Sequence, residues 1–546
     1  MKKLLCMLLS ALMLLSLAAC GGSDGESSDL GEQSSVEESS EAVAVELPDV
    51  KGKTEAEALA AIAEAGYTNV KAVPCHKQGS TAGTVVAQSK TPGAVYDKDD
   101  MIIIQVSNGL TPSESAKTEI ADPLLAAREE LSQGANSDYK PVNYDNMKAI
   151  WLSQLDLIPV YYDYENKTQR TEDDFAAKID TIMKNIKDSG FNTVVVQVHP
   201  DCDSMYVSKY YPWTDYINGN GNRDANQALM SENADDVTAM TYGNTSLYDL
   251  MPLMIDAAHK YELSYQAWIN PMRACAIPEM EYINDSYPIK QWYNDEAKSS
   301  TYLFKTSSRI YLNPAYEEVR EYITNVAVEI ARYYDVDGIH MDDYFYPSAD
   351  ASYDKAAFEA QSDYTVLIDF RKNNINVLVK QIYDAVKAEN KDMLFGISPA
   401  GNINTNMNAL GADVKTWCSV AGYVDYICPQ IYFGFNHVTV PFDGLSQQWI
   451  DMNTEASVDM VLGLTLHKIG KEDTYAGGGK TEWVENSDIL KRSYEWIGQN
   501  LDKVDGFCMF SYQYIFDPVT GERVDYTKTE VDNFLPVMQG ITWAAE

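Results

Sequence analysis

Asp337-Gly338-Ile339-His340-Met341-Asp342-Asp343-Tyr344-Phe345-Tyr346-Pro347 is the run on which the reading of the fold turns. Neighbouring side chains of a strand face opposite ways. Over Gly338–Asp342, Ile339 and Met341 therefore share one face, while His340 and Asp342 share the other. An apolar face suits contact with covering helices. A polar face that ends in a carboxylate suits the mouth of a barrel. The same switch recurs along the chain. In Thr193–His199, Val194, Val196 and Val198 lie together and Gln197 and His199 lie opposite. In Tyr265–Asn270 the second face holds Gln266, Trp268 and Asn270, and in Tyr426–Tyr432 Gln430 and Tyr432 point inward.

Four further apolar runs, Ala149–Leu152, Leu394–Ser398, Val461–Thr465 and Gly506–Ser511, bring the candidate strands to eight. Amphipathic helical patterns separate them, among them Phe175–Asp188, Leu247–Tyr261, Glu317–Tyr334, Asn374–Asn390 and Asp488–Asn500. This alternation over residues 146–546 predicts an α/β fold, a (β/α)8 TIM barrel. A doubly wound sheet is the alternative, but no GxGxxG turn supports a nucleotide-binding form of it. An inert barrel would fill its inward layer with Val, Ile and Leu. Polar groups that converge at the C-terminal mouth are where barrel enzymes carry chemistry.

Asp342 and Asp343 form the densest candidate site. Glycoside cleavage normally uses two carboxyls flanking the scissile bond. Adjacent residues on a regular strand diverge, so both reach a substrate only if the chain bends after Asp342. Otherwise one of the two is structural, a helix cap or an ion-pair partner of Arg273 or Lys209.

Upstream, residues 46–110 read as a small separate module. Leu47-Pro48-Asp49-Val50-Lys51-Gly52 suggests a short strand and turn. Thr54 and Glu57 make a capping box for a helix over Glu55–Glu64, and Gly66 ends it. Strand patterns at Thr84–Gln88 and Met101–Ser107, separated by Pro92-Gly93, complete a β-α-β-β unit. Residues 111–145 read as a linker with a short helix around Pro123–Leu131.

At the N-terminus, Lys2 and Lys3 precede an apolar run, Leu4–Leu17, too short to span a bilayer. Residues 1–19 have the plan of a signal peptide and end in Leu17-Ala18-Ala19-Cys20. Residues 21–45 are Gly, Ser, Glu and Asp with almost nothing apolar, and read as a flexible stalk. With 81 acidic and 42 basic residues the net charge is −39, which disfavours nucleic acid and an anionic membrane surface as partners. Eight cysteines without a CxxC pair indicate neither a zinc site nor a dense disulfide framework, and leave one or two bridges open. Asn218–Asp224 alternates oxygen donors like part of a calcium loop but lacks the closing Glu, and a Gly/Asn-rich turn explains it more simply. No metal or cofactor is expected.

Several motifs carry family resemblances. Leu17-Ala18-Ala19-Cys20 resembles the bacterial lipobox, which implies cleavage before Cys20 and its lipidation, with the membrane touched through that anchor alone. The module's opening Pro48-Asp49-Val50, its helix, the Gln88 to Pro92-Gly93 step and the closing Val106-Ser107-Asn108-Gly109 resemble the PASTA domain. In that family the module often recognises peptidoglycan, though some copies only space. Across about 147–520, with motifs from Ala149-Ile150-Trp151-Leu152 through Asp425–Tyr432, the large domain resembles the glycosyl-hydrolase-like ten family of bacterial cell-surface barrels. The linking motifs are Phe191–Pro200, Ala267–Arg273, Leu312-Asn313-Pro314, Tyr334–Pro347 and Gly396–Pro399. His199 departs from the Arg that many members carry before the Pro, and Met272 from an aromatic.

The resemblance implies an extracytoplasmic glycosidase acting on cell-wall glycan, peptidoglycan strands stripped of their peptides in particular. It makes Asp342 and Asp343 the catalytic candidates. His199, Trp268, Asn270, Arg273, His340, Tyr344, Ser398, Gln430 and Tyr432 would bind sugar or tune the acid. Asp337–Tyr344 is also similar to the Asp-Gly-x-Asp-x-Asp-x-Glu strand of chitinase-like barrels, with His340 for the first inner Asp and Tyr344 for the acid Glu. There the substrate's own acetamide is the nucleophile. A wall-binding lipoprotein without turnover, or a hydrolase of another exported polysaccharide, are the competing readings.

Overall fold

A reciprocal cap opens the first helix. The side chain of Glu57 accepts from the Thr54 amide at 3.0 Å and Thr54 Oγ1 accepts from the Glu57 amide at 3.4 Å, opening α1 (Glu55–Glu64). The computed structural model describes residues 45–541 except 78, 121, 132–133, 219–243 and 344. The signal peptide, Cys20 and the stalk, most of the Asn218–Asp224 run, and Tyr344 lie outside those residues.

α1 buries Ala58 and Ile62 on a three-stranded sheet of β1 (Val70–Cys75), β2 (Val85–Gln88) and β3 (Ile102–Ser107). The central strand β3 is parallel to β1 and antiparallel to β2. This corrects the order of elements in the module. Leu47–Val50 lies outside the ladder, the Val50 amide donating to Gln88 Oε1 at 2.9 Å, and Lys51-Gly52 form the expected turn. The sheet strand is Val70–Cys75, whose Pro74 weakens its strand signal. Pro74 is accommodated because β1 is an edge.

Residues 111–145 run as a strap with two short helices, α2 (Pro112–Ser115) and α3 (Pro123–Leu131). Trp213 Nε1 donates to Asp122 at 2.8 Å, and the buried pair Arg128–Glu329 closes at 3.0 Å. The strap ends beneath the barrel on Asp337, which accepts from the Tyr139 hydroxyl at 2.5 Å, the Val142 and Tyr265 amides at 2.6 Å and His259 Nε2 at 2.9 Å.

β4 (Met147–Leu152), β7 (Thr193–His199), β8 (Ser264–Ile269), β12 (Gly338–Met341), β13 (Leu394–Ile397), β14 (Tyr426–Ile427), β15 (Asp459–Thr465) and β16 (Gly506–Phe510) close into an all-parallel barrel. The fold is the TIM barrel that the alternation predicts. Two small sheets outside it also matter to the site: β5 (Tyr162–Asp163) with β6 (Thr168–Gln169), and β9 (Arg273–Ala276) with β10 (Leu303–Lys305) and β11 (Arg309–Leu312). Val194, Val196, Val198, Ile339 and Met341 join the core between strands and helices. Met147, Ala149, Trp151, Val195, Trp268, Tyr426, Cys428, Val461 and Cys508 fill the barrel itself. The six described cysteines are buried, and no disulfide forms among the described residues.

Gly396 makes that interior possible. A Cβ there would lie 2.0 Å from Tyr426 Cζ, inside the ring that fills the neighbouring strand's inward position. Gly396→Ala is expected to destabilise the barrel by at least the ~1–3 kcal/mol typical of overpacking. Denaturant unfolding checks this, and wild-type stability in the variant would mean that Tyr426 has room to move.

Candidate active site

The chain leaves β12 at Met341 and bends: the Phe345 amide donates to the Asp343 carbonyl at 2.9 Å. The bend resolves the question posed by two adjacent carboxylates. Asp342 and Asp343 both line one cleft of about 180 Å³ at the C-terminal mouth, with Trp268, Arg273, Ser398, Gln430 and Tyr432. Of the residues singled out in the sequence, these seven come together.

Sequence reasoning missed the rest of the lining: Trp151, Ser153, Gln154, Leu155, Gln197 and Phe510. Gln197 had the right inward position, and Trp151 sits in a quoted motif. Ser153, Gln154 and Leu155 come from the turn after β4, which has no strand period to read. Their place is set by Asp156, fully buried and held up at about 6 by that burial. It accepts from the Ser153 amide at 2.7 Å, the Gln513 amide at 2.6 Å and Ser511 Oγ at 3.3 Å, tying the first barrel turn to the last. Ser153-x-x-Asp156 is a capping box, the one signal that could have found it.

Three expected sugar ligands lie behind the lining. His340 is buried, and Trp151 Nε1–H donates to its Nε2 at 3.3 Å. Indole nitrogen only donates, so Nε2 is the acceptor and Nδ1–H faces the Tyr426 hydroxyl at 2.8 Å. Burial pushes His340 down to about 3, so it stays neutral. It supports the Trp151 ring and does not reach sugar from the cleft wall. His199 is likewise buried and pushed down to about 3, its ring edge-on to Tyr211 at 4.6 Å. Asn270 donates to the Pro200 carbonyl at 3.0 Å and accepts from Gln197 Nε2 at 3.3 Å, and Gln197 Oε1 takes the Gln154 amide at 2.9 Å. Asn270 thus orients two residues of the lining.

The walls combine flat aromatic rings with underused polar atoms. Trp151 meets Tyr432 at 6.3 Å and Phe510 at 6.1 Å, all three lining the cleft. Trp268 Nε1, Ser398 Oγ and Gln154 Oε1 are buried and have no partner among the described residues. Buried polar groups are nearly always paired, so such atoms around one cleft fit the hydroxyls of a bound sugar. Arg273, on β9, adds a fixed positive group, its Nε 2.9 Å from buried Asp201. Burial raises Asp343 above the ordinary carboxylate range, with a hydrogen bond from Gln430 working against it. An upward shift of one carboxyl beside a second is the direction that suits it to protonate a leaving oxygen.

Comparison with known proteins fits this geometry. The model of the family described as Glycosyl hydrolase-like 10 matches residues 146–239 and 229–477. The chain belongs to this family. As a glycosyl hydrolase-like 10 protein it is a glycosidase, and it carries a PASTA domain, matched over residues 45–108. Glycosyl hydrolase DigH of Escherichia coli K12 is 27% identical over 408 residues, spanning 70% of this chain and 87% of that protein. Glycosyl hydrolase YngK of Bacillus subtilis 168 is 27% identical over 372 residues, 64% of this chain and 66% of its own length. Among solved structures, the PgaB glycoside hydrolase domain of Bordetella bronchiseptica aligns over 71% of this chain and 98% of its own at 10% identity and a TM-score of 0.43.

Asp343→Asn is expected to lower turnover by about 10²–10⁴ with little loss of stability. Gln430→Met removes a donor that favours the charged form of Asp343, so its pKa rises further. An acid works only below its pKa, and the alkaline limb of kcat/KM should therefore move to higher pH. A limb that moved to lower pH would take the acid role away from Asp343.

Proposed function

We propose that this protein is a lipid-anchored glycosidase that cleaves the glycan strands of bacterial cell-wall peptidoglycan. The observation that carries the reading is the cleft itself: Asp342 and Asp343 side by side under aromatic walls, with orphaned polar atoms on Trp268, Ser398 and Gln154. In the reaction, Asp343 gives its proton to the leaving glycosidic oxygen. Asp342 is the second carboxylate, positioned to act on the sugar or on its attacking water. Trp151, Trp268, Tyr432 and Phe510 offer ring faces to the apolar side of a pyranose. The leader supports delivery to the outside of the membrane, because the basic start, short apolar run and Cys20 have the lipobox plan.

Purified peptidoglycan, digested before and after removal of its peptides and analysed by mass, tests the substrate. Release of glycan fragments, faster from stripped strands, is expected; turnover only on an unrelated polysaccharide would reject the wall assignment. For the anchor, Cys20→Ala should release the protein from the membrane fraction, since a hydrophilic stalk has no other affinity for lipid. A variant that stayed membrane-bound would remove the lipidation.

The mechanism is separable from both. With two carboxylates at work, a thiazoline mimic of a cyclised N-acetyl sugar binds no better than the free sugar. Strong thiazoline inhibition, weakened in Tyr432→Phe by the loss of one hydrogen bond to a partly charged oxygen (about 1.5–3 kcal/mol), would show that the substrate's acetamide is the nucleophile.

A further inference from the structure

The sheet of the PASTA domain has two faces, and both are covered. One packs α1: Ile102, Ile104 and Val106 join Leu47, Val50, Ala58 and Ile62 in the module's own core. From the other, Val73, Ala87 and Ile103, one per strand, belong to the same continuous apolar cluster as the barrel's outer layer. Three buried hydrogen bonds cross this joint. Asn244 accepts from the His76 amide at 2.9 Å and donates to the His76 carbonyl at 3.1 Å, and Gln105 Nε2 donates to the Thr245 carbonyl at 2.7 Å, all buried. Buried bonds of this kind, beside a continuous apolar cluster, suit a lasting contact.

The barrel side of the joint is the rim of its mouth. The Glu172 amide, the first of α5 (Glu172–Asp188), donates to the Ser89 carbonyl at 2.7 Å, while its carboxylate meets Lys90 at 3.0 Å. Asp173 accepts from the Tyr96 hydroxyl at 2.5 Å and the Thr91 amide at 3.3 Å. Lys77 Nζ reaches the Tyr162 hydroxyl, in β5, at 3.5 Å. One element joins this rim to the active site. Helix α4 (Gln154–Tyr161) begins at the cleft-lining Gln154 and ends where the β5–β6 hairpin meets the module. Eight residues of helix span only about 12 Å.

We propose that the PASTA domain is a built-in brace of the catalytic cleft rather than a free wall-binding arm. Its sheet is committed to the rim, where it fixes the outer end of α4 and with it the wall made by Ser153, Gln154 and Leu155. Any contact of the module with glycan is left to α1 and the turns. The strap reinforces the arrangement, since Asp122 and Arg128 button the connection to the barrel and leave no slack for the module to swing. The kinetic consequence rests on the cleft being the glycosidase site; the mechanical one does not.

Full-length protein carrying Ile103→Asp, which drives a charge into the joint, tests the brace, with Ile103→Val as the conservative rescue. Three readouts apply: calorimetric unfolding, amide exchange of peptides spanning 154–172, and kcat and KM on glycan strands. Wild-type residues 45–541 should unfold in one transition. Ile103→Asp should split off an early transition, speed exchange over 154–172 about tenfold or more, and lower kcat/KM about tenfold through a displaced wall. Ile103→Val should behave as wild type. If Ile103→Asp does not fold, Asp173→Ala, which loses only the rim bonds to Tyr96 and Thr91, should raise the same exchange to a smaller degree. A module that already melts separately in the wild type, or an unlatched module with unchanged exchange over 154–172, would overturn the proposal. Faster exchange in Ile103→Asp, together with a wild type that shows no turnover, would instead reject the glycosidase reading and leave the brace standing.

Discussion

A barrel of eight strands must fill its centre with side chains, and here the filling is a hydrogen-bonded stack. Trp151 donates to His340, and His340 faces the hydroxyl of Tyr426, whose ring occupies the space that Gly396 leaves. His340, Trp268 and Gly396 are register partners across neighbouring strands, and Gly396 pairs with Tyr426 in turn. The stack works only while the histidine is neutral, because a protonated ring could not accept the indole proton. Burial enforces that state. Everything above it depends on this layer: Trp151 is at once the top of the stack and the floor of the cleft.

Above that floor, the chemistry comes from a failure of regular structure. β12 stops at Met341, and the bend that follows turns two consecutive aspartates toward one cleft. Burial and the Gln430 side chain act on Asp343 in opposite directions, and burial prevails. The surrounding atoms that lack protein partners are the complement of a ligand rich in hydroxyls.

The barrel was legible because its signal is periodic. Val194, Val196 and Val198 against Gln197 could be assigned to faces by counting, and the same count placed Trp268, Asp342 and Tyr432 inward. Counting cannot tell a residue that reaches the cleft from one a layer below it. His340 and His199 read as sugar ligands for that reason, and prove to be buried, neutral supports. Turns have no period, so Ser153, Gln154, Leu155 and their organiser Asp156 went unread. The module's edge strand was hidden by Pro74, a residue that argues against a strand unless one knows it lies at an edge. Polar composition made residues 111–145 read as a linker, although Asp122, Arg128 and Tyr139 are fastened to partners far along the chain.

The central claim is that the cleft over the Trp151–His340–Tyr426 stack is where a sugar chain is bound and cut. A crystal structure of Asp343→Asn soaked with a peptide-free glycan fragment tests it most directly. The account predicts a pyranose against the aromatic walls, with its hydroxyls on Trp268 Nε1, Ser398 Oγ and Gln154 Oε1 and the scissile oxygen beside residue 343. A fragment bound elsewhere on the protein, with those three atoms still unpartnered, would contradict it.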